Sequence, residues 1–121
     1  MSFDWAEQPL LVLACMDPRV TPILPAGAFV VRTAGASPDP VSVDLGVAVD
    51  VKGVRSIAVV THTDCAMRAP LSEDPAITAR AIGDERSASR QTARALSERF
   101  PAVEVRAFVY RVEDGVLEPL T

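Results

Sequence analysis

The sequence predicts an α/β fold with three layers, in which a central, mostly parallel sheet of about four strands carries a short antiparallel hairpin at one edge. Short apolar runs without polar alternation recur along the chain, as in strands that are covered on both faces. Segments with helical spacing separate these runs, as the crossovers between parallel strands require. Near its end the chain shows an alternating run, a turn and a short return segment, which is the pattern of a hairpin.

The first half of the chain predicts two strands and a crossover helix. Residues 10–14 (LLVLA) are the first strand, and the proline-rich loop 16–27 follows with at most one helical turn. Residues 28–32 (AFVVR) are the second strand. From Val41 onward apolar residues recur at helical spacing until Gly53, a residue type that commonly ends helices.

The second half begins with the third strand, residues 55–61 (RSIAVVT), whose centre is strongly apolar. Between Pro75 and the next helix only residues 77–82 (ITARAI) have a helical pattern. Residues 84–99 are predicted to form a longer helix, with apolar and charged residues on different faces. We expect Ala88, Ala93 and Leu96 on the inner face, and Glu85 with several arginines on the outer face.

The hairpin is predicted from the alternation in residues 103–112 (VEVRAFVYRV), which suits a strand with two different faces. The sequence Glu113-Asp114-Gly115 is a typical turn. Residues 116–120 (VLEPL) then return as a short edge strand, where a proline is tolerated because one side of the strand needs no partner.

Length and composition limit the function classes. The chain has 121 residues, of which 49% are hydrophobic, so residues 1–121 are expected to form one domain with its own core. The net charge is −4 and no stripe of lysine or arginine occurs, which argues against nucleic acid or a membrane surface as partner. No apolar run is long enough for a membrane span, and residues 1–10 do not resemble a secretion signal, so a cytoplasmic location is expected. A small molecule or a second copy of the chain is the expected partner.

A metal site is predicted at the ends of two strands. Cys15 follows the first strand, and His62 and Cys65 follow the third. The carboxyl ends of neighbouring parallel strands meet at one edge of the sheet, so these side chains are expected to converge. Two thiolates and an imidazole suit Zn²⁺, and three protein ligands leave the fourth tetrahedral position free for water, as in catalytic zinc sites. Only Asp17 or Asp64 is placed to add a fourth protein ligand.

Each of these residues also has a simpler interpretation. A lone Cys15 would most often fill a core, and a single histidine is more often a hydrogen-bonded residue than a ligand. The joint pattern favours the metal, because His62 and Cys65 lie three residues apart in a turn.

Asp17 and Arg19 form a second candidate group directly after Cys15. On a surface such a pair would contribute about 0–1 kcal/mol to stability. Beside zinc it has another use, because a guanidinium can hold a carboxylate in a fixed geometry and keep it ionised. The carboxylate then accepts a hydrogen bond from metal-bound hydroxide and orients it.

Cys15-Met16-Asp17-Pro18-Arg19 and His62-Thr63-Asp64-Cys65 together resemble the paired CxDxR and HxxC motifs of the β-class carbonic anhydrases. Residues 30–36 (VVRTAGA) and 108–120 (FVYRVEDGVLEPL) are also similar to that family, so the resemblance covers most of the chain. One departure is Ala66, where family members commonly have glycine.

The resemblance implies a lyase, carbonate dehydratase, that interconverts carbon dioxide and bicarbonate by means of a metal-bound hydroxide. It implies zinc held by Cys15, His62 and Cys65, with Asp17 and Arg19 as the catalytic dyad. It also implies a homodimer or a dimer of dimers, and a parallel α/β sheet.

Two other functions remain open on the sequence. The same zinc chemistry could act on carbon disulfide or carbonyl sulfide, because selection among linear electrophiles rests on access to the site. The chain could also be a zinc-binding or redox module without turnover, in which oxidation joins Cys15 to Cys65 after zinc loss.

Overall fold

The computed structural model describes residues 3–120. Met1, Ser2 and Thr121, the ends of the predicted domain 1–121, lie outside the described residues. Within residues 3–120, five strands form one sheet in the order β2-β1-β3-β4-β5. The strands are β1 (Leu10–Cys15), β2 (Phe29–Thr33), β3 (Ser56–His62), β4 (Glu104–Arg111) and β5 (Val116–Leu120). The first four are parallel and β5 runs antiparallel to β4, so the predicted fold class is confirmed.

Two helices, α1 (Ser42–Asp50) and α3 (Glu85–Arg99), cover one face of the sheet. The crossover helix ends as predicted before Gly53, whose φ of +71° reverses the chain. Alternate residues of β4 point into the core on this face, as the sequence pattern required. This first core contains Leu11, Leu13, Leu45, Ala48, Ile57, Val59, Ala93, Leu96, Ala107 and Val109.

Within the described residues, the other face of the sheet is covered by irregular and 3₁₀ segments rather than by α-helices. Phe3 and the half-buried Trp5 pack against Phe108 of β4. Val20 is fully buried beside them, and it belongs to the 3₁₀ segment Pro18–Ile23. This second core therefore holds the chain that directly follows Asp17.

Two local predictions differ from the structure. The short helix α2 spans Pro75–Thr78 and not residues 77–82, because Asp74 caps it by accepting a hydrogen bond from Ala76 N and Pro75 occupies the first position. Glu85 was expected on the outer face of α3, but it is only 4% exposed. Ser89 is also fully buried on the face of α3 that packs against the sheet, while Ala88 is half-buried.

In the described residues, none of the helices has both the length and the apolar character that crossing a bilayer requires.

Candidate metal centre

The topology brings the three predicted metal ligands together. β1 and β3 are parallel neighbours in register, so Cys15 at the end of β1 and His62 at the end of β3 reach the same edge of the sheet. The Sγ atoms of Cys15 and Cys65 and a ring nitrogen of His62 all lie within 4.8 Å of one another. All three residues are buried, and His62 is 0% exposed. This arrangement is compatible with one metal ion.

The turn from His62 to Cys65 is held by the neighbouring strand. Thr63 N donates to Tyr110 O over 2.9 Å, and the Thr63 hydroxyl donates to a Glu113 carboxylate oxygen over 2.6 Å. Asp64 has a φ of +57°, so it takes the left-handed position of the turn. Ala66 instead begins the right-handed 3₁₀ turn Ala66–Arg68, a conformation that needs no glycine.

His62 presents one unprotonated nitrogen inside the cluster. Its Nδ1 lies 2.6 Å from Thr63 O, and because a carbonyl oxygen only accepts, Nδ1 carries the proton of the neutral ring. Nε2 is buried without a hydrogen-bond partner in the described part of the chain. A buried nitrogen lone pair that lacks a partner, beside two sulfur atoms, has the properties of a zinc ligand.

The thiols of Cys15 and Cys65 interact strongly with each other. A hydrogen bond from Cys65 lowers the pKa of Cys15 well below its usual range, and the same interaction raises the pKa of Cys65 above its usual range. Although burial opposes the imidazolium, the Cys15 thiolate raises the pKa of His62. The cluster therefore holds protons that a metal ion would have to displace, so metal uptake should release protons.

Gly35 supports the Cys15 sulfur from the next loop. Its backbone N donates to Cys15 Sγ over 3.4 Å, and its φ is +70°. A Cβ at this position would lie 2.9 Å from Ile82 Cγ2 and 3.2 Å from Met67 Cβ. Both neighbours belong to the segment that follows Cys65, so a side chain here would disturb both cysteines.

We expect Gly35→Ala to lower the free energy of unfolding by about 2–4 kcal/mol, the sum of a left-handed backbone cost and overpacking. It should also speed zinc release to a chelator. Urea unfolding and chelator competition measure the two effects. Gly53→Ala is the matched control, because Gly53 has a φ of +71° but no atom of residues 3–120 within 4 Å of the added Cβ. Equal losses in the two variants would contradict the role given to Gly35.

Asp17 and Arg19 form a well-defined pair at the edge of the cluster. Asp17 accepts hydrogen bonds from Arg19 N (2.9 Å), Nε (3.2 Å) and Nη2 (2.8 Å). Chiefly through the side-chain hydrogen bonds, Arg19 lowers the pKa of Asp17 to about 2. Asp17 Oδ2 lies 3.7 Å from His62 Nε2. An ionised acceptor is thus held beside the candidate metal ligands.

Arg19 also joins the two sequence motifs, a contact that the sequence did not reveal. Its Nη1 donates to Asp64 Oδ2 and its Nη2 to Asp64 O, both over 3.1 Å. Asp64, one of two candidates for a fourth ligand, is therefore paired with Arg19, and its side chain is 79% exposed. Arg32 braces the same loop by donating to Cys15 O and Asp17 O.

Glu85 is a site neighbour that sequence reasoning missed. Its Oε2 accepts a hydrogen bond from Cys65 N over 3.2 Å, and its Oε1 accepts one from Arg68 Nη1 over 2.6 Å. An acidic residue after the capping Asp84 is the usual pattern of a helix N-terminus. Because Glu85 fits this local pattern, the sequence gives no sign of its contact with Cys65, 20 residues away.

Known proteins resemble this chain in family and in fold. The family model described as carbonic anhydrase matches residues 10–100. No curated protein matches the sequence significantly. A carbonic anhydrase from Streptococcus mutans is 24% identical with a TM-score of 0.76, over 96% of this chain and 87% of that chain.

Two further solved structures share the fold. One of two tetrameric β-carbonic anhydrases from Sordaria macrospora is 16% identical with a TM-score of 0.74, over 97% of this chain and 83% of that chain. The apo form of a carbon disulfide hydrolase is 24% identical with a TM-score of 0.63, over 90% of this chain and 76% of that chain. At these identities the structural likeness concerns the fold.

Proposed function

Because this chain belongs to the β-class carbonic anhydrase family, we propose that it catalyses the reversible hydration of carbon dioxide to bicarbonate with a zinc ion held by Cys15, His62 and Cys65. The observation that carries the proposal is the buried cluster of two sulfur atoms and one unpartnered imidazole nitrogen. Soft sulfur ligands with imidazole favour zinc over magnesium or calcium, which prefer oxygen.

The chain's own residues divide the work around the metal. Zinc, when bound, supplies a Lewis acid that lowers the pKa of a bound water molecule from about 15.7 towards 7. Asp17 accepts a hydrogen bond from the reacting water and fixes the direction of its lone pair. Arg19 holds that carboxylate ionised and also ties it to the Asp64 turn, so the acceptor keeps its position relative to His62.

Asp17→Asn is expected to lower kcat for carbon dioxide hydration about 10- to 100-fold while the zinc content stays the same. The amide keeps the size of the side chain but loses the charge that Arg19 holds and half of its acceptor capacity. Stopped-flow hydration on protein of measured zinc content tests this. Glu104→Gln is the matched control, since the exposed Glu104 at the start of β4 forms a similar pair with Arg106 two residues later. Full activity of Asp17→Asn would remove Asp17 from the mechanism.

The similarity to a carbon disulfide hydrolase favours one alternative substrate class. Carbon disulfide and carbonyl sulfide are linear electrophiles like carbon dioxide, and a zinc site does not by itself distinguish them. Sulfide release from carbon disulfide, compared with hydration of carbon dioxide by the same zinc-loaded sample, decides between the substrates. A sample that binds zinc but turns over neither substrate would indicate a zinc-binding or redox module.

We also propose assembly as a homodimer or a dimer of dimers, since the Sordaria macrospora relatives are described as tetrameric. The chain exposes apolar residues that suit such contacts. Val43 in α1 is 78% exposed, Val51 directly after α1 is 71% exposed, and Phe29 on the edge strand β2 is 39% exposed. Light scattering after size-exclusion chromatography gives the molar mass, and a monomer at all concentrations would overturn this proposal.

A further inference from the structure

Glu85, the first residue of α3, is a buried carboxylate that the proposed mechanism does not use. It is 4% exposed, yet both carboxylate oxygens have partners, namely Cys65 N and Arg68 Nη1. A buried charge is costly unless it is paired and hydrogen-bonded. Here the pairing joins Glu85 to the two ends of the segment Cys65–Arg68, which begins with a candidate metal ligand.

The backbone around Glu85 is itself fixed to the sheet. The Thr61 hydroxyl donates to Glu85 O over 2.8 Å, and Thr61 is the residue before His62 in β3. One turn further along α3, the Ser89 hydroxyl donates to Val59 O of the same strand. The start of α3 is therefore anchored on the strand that carries His62, and Glu85 projects from that anchor to Cys65.

The segment after Cys65 has further contacts with the chain just before α3. Ile82 N donates to Met67 O over 2.8 Å, and Gly83 N donates to Arg68 O over 3.2 Å. The Glu85 carboxylate differs from these two backbone contacts because it binds the backbone amide of Cys65, the candidate metal ligand itself. Removal of the carboxylate would free the amide of Cys65 but leave the backbone hydrogen bonds to Met67 O and Arg68 O in place.

We propose that Glu85 is a positioning residue for Cys65: its carboxylate holds the Cys65 amide and Arg68, and so keeps the third ligand in place beside Cys15 and His62. This inference rests on the proposed zinc site and deepens it. A ligand that is already in place loses less conformational freedom when zinc binds, so zinc should be retained longer.

The first test uses metal-free protein and does not depend on zinc. In Glu85→Gln the neutral side chain keeps the shape of glutamate but loses the charged acceptor. Hydrogen exchange of the Cys65 amide, followed by NMR, should become about 5- to 10-fold faster, because a neutral amide oxygen is a weaker acceptor than a carboxylate. An unchanged exchange rate would overturn the proposal.

The second test uses zinc-loaded protein. Transfer of zinc to an excess of chelator should be about 10- to 100-fold faster in Glu85→Gln than in the unmodified protein. Glu118→Gln is the control, because Glu118 also pairs with an arginine on α3, Arg86, and its side-chain hydrogen bonds within residues 3–120 go to Arg86 and Arg111 rather than to a candidate ligand. Zinc transfer that is equally fast in the unmodified protein and in both variants would overturn the positioning role.

Failure of the proposed zinc function and failure of the positioning role of Glu85 would give different results. If the unmodified protein takes up no zinc, the proposed function fails, while the amide exchange still decides the role of Glu85. If Glu85→Gln does not fold, Arg68→Gln replaces it, since this change leaves the bond to Cys65 and removes the cation that pairs with Glu85 over 2.6 Å and with Asp84 over 3.6 Å. A smaller acceleration of zinc transfer, about threefold to tenfold, is then expected, and no acceleration would overturn the proposal.

Discussion

Cys65→Ser should abolish stoichiometric zinc binding and, with it, carbon dioxide hydration. A serine hydroxyl is a poor zinc ligand at neutral pH, because it does not ionise as a thiol does. Cys15 and His62 alone would then have to hold the ion. The loss in zinc affinity should exceed the roughly 10- to 100-fold that the removal of a partner outside the ligand shell costs. Zinc analysis after dialysis should fall from about one ion per chain to below about 0.1.

Thermal unfolding gives a second measurement of the same change. Zinc that binds only the folded state raises the melting temperature, so a chelator should lower Tm in the unmodified protein but not in Cys65→Ser. Ala66→Ser is the control, because it adds a hydroxyl at the adjacent exposed position and leaves all three candidate ligands in place. One zinc per chain with normal activity in Cys65→Ser would show that the ligand set is wrong.

The strands could be predicted because their sequence signals are local. β1 and β3 are continuous apolar runs, and β4 alternates between two faces that the structure buries in different cores. The helix α2 was placed wrongly because its four residues are fixed by one capping aspartate and one proline, which compete with the apolar pattern of the following residues.

The convergence of Cys15 and His62 could also be predicted, since it follows from a topological rule about parallel strands. The bonds from Arg19 to Asp64 and from Glu85 to Cys65 could not. They join residues 45 and 20 positions apart, and they depend on how a loop and a helix end are placed on the sheet. Sequence periodicity describes the face of an element and not the side chains of distant loops that meet it.

Phe108→Ala should cause the largest loss of stability away from the metal centre, about 3–5 kcal/mol in the free energy of unfolding. Phe108 is 2% exposed at the centre of the second core. Its ring centroid lies 5.5 Å from that of Phe3 in an edge-to-face contact and 6.3 Å from that of Trp5 in a stacked one. Truncation removes both ring contacts and leaves a cavity, because the backbone of the sheet is too rigid to move into the space that the ring occupied.

Phe108→Leu is the matched control for this loss, because it keeps a bulky apolar side chain and should cost about half as much. Urea unfolding, with the slope of the transition checked for constancy, measures both variants. Val20 belongs to the same core and directly follows Arg19, so Phe108→Ala should also speed proteolysis within the 3₁₀ segment Pro18–Ile23. A loss below about 1 kcal/mol would mean that the amino-terminal segment with Phe3 and Trp5 does not cover this face in solution.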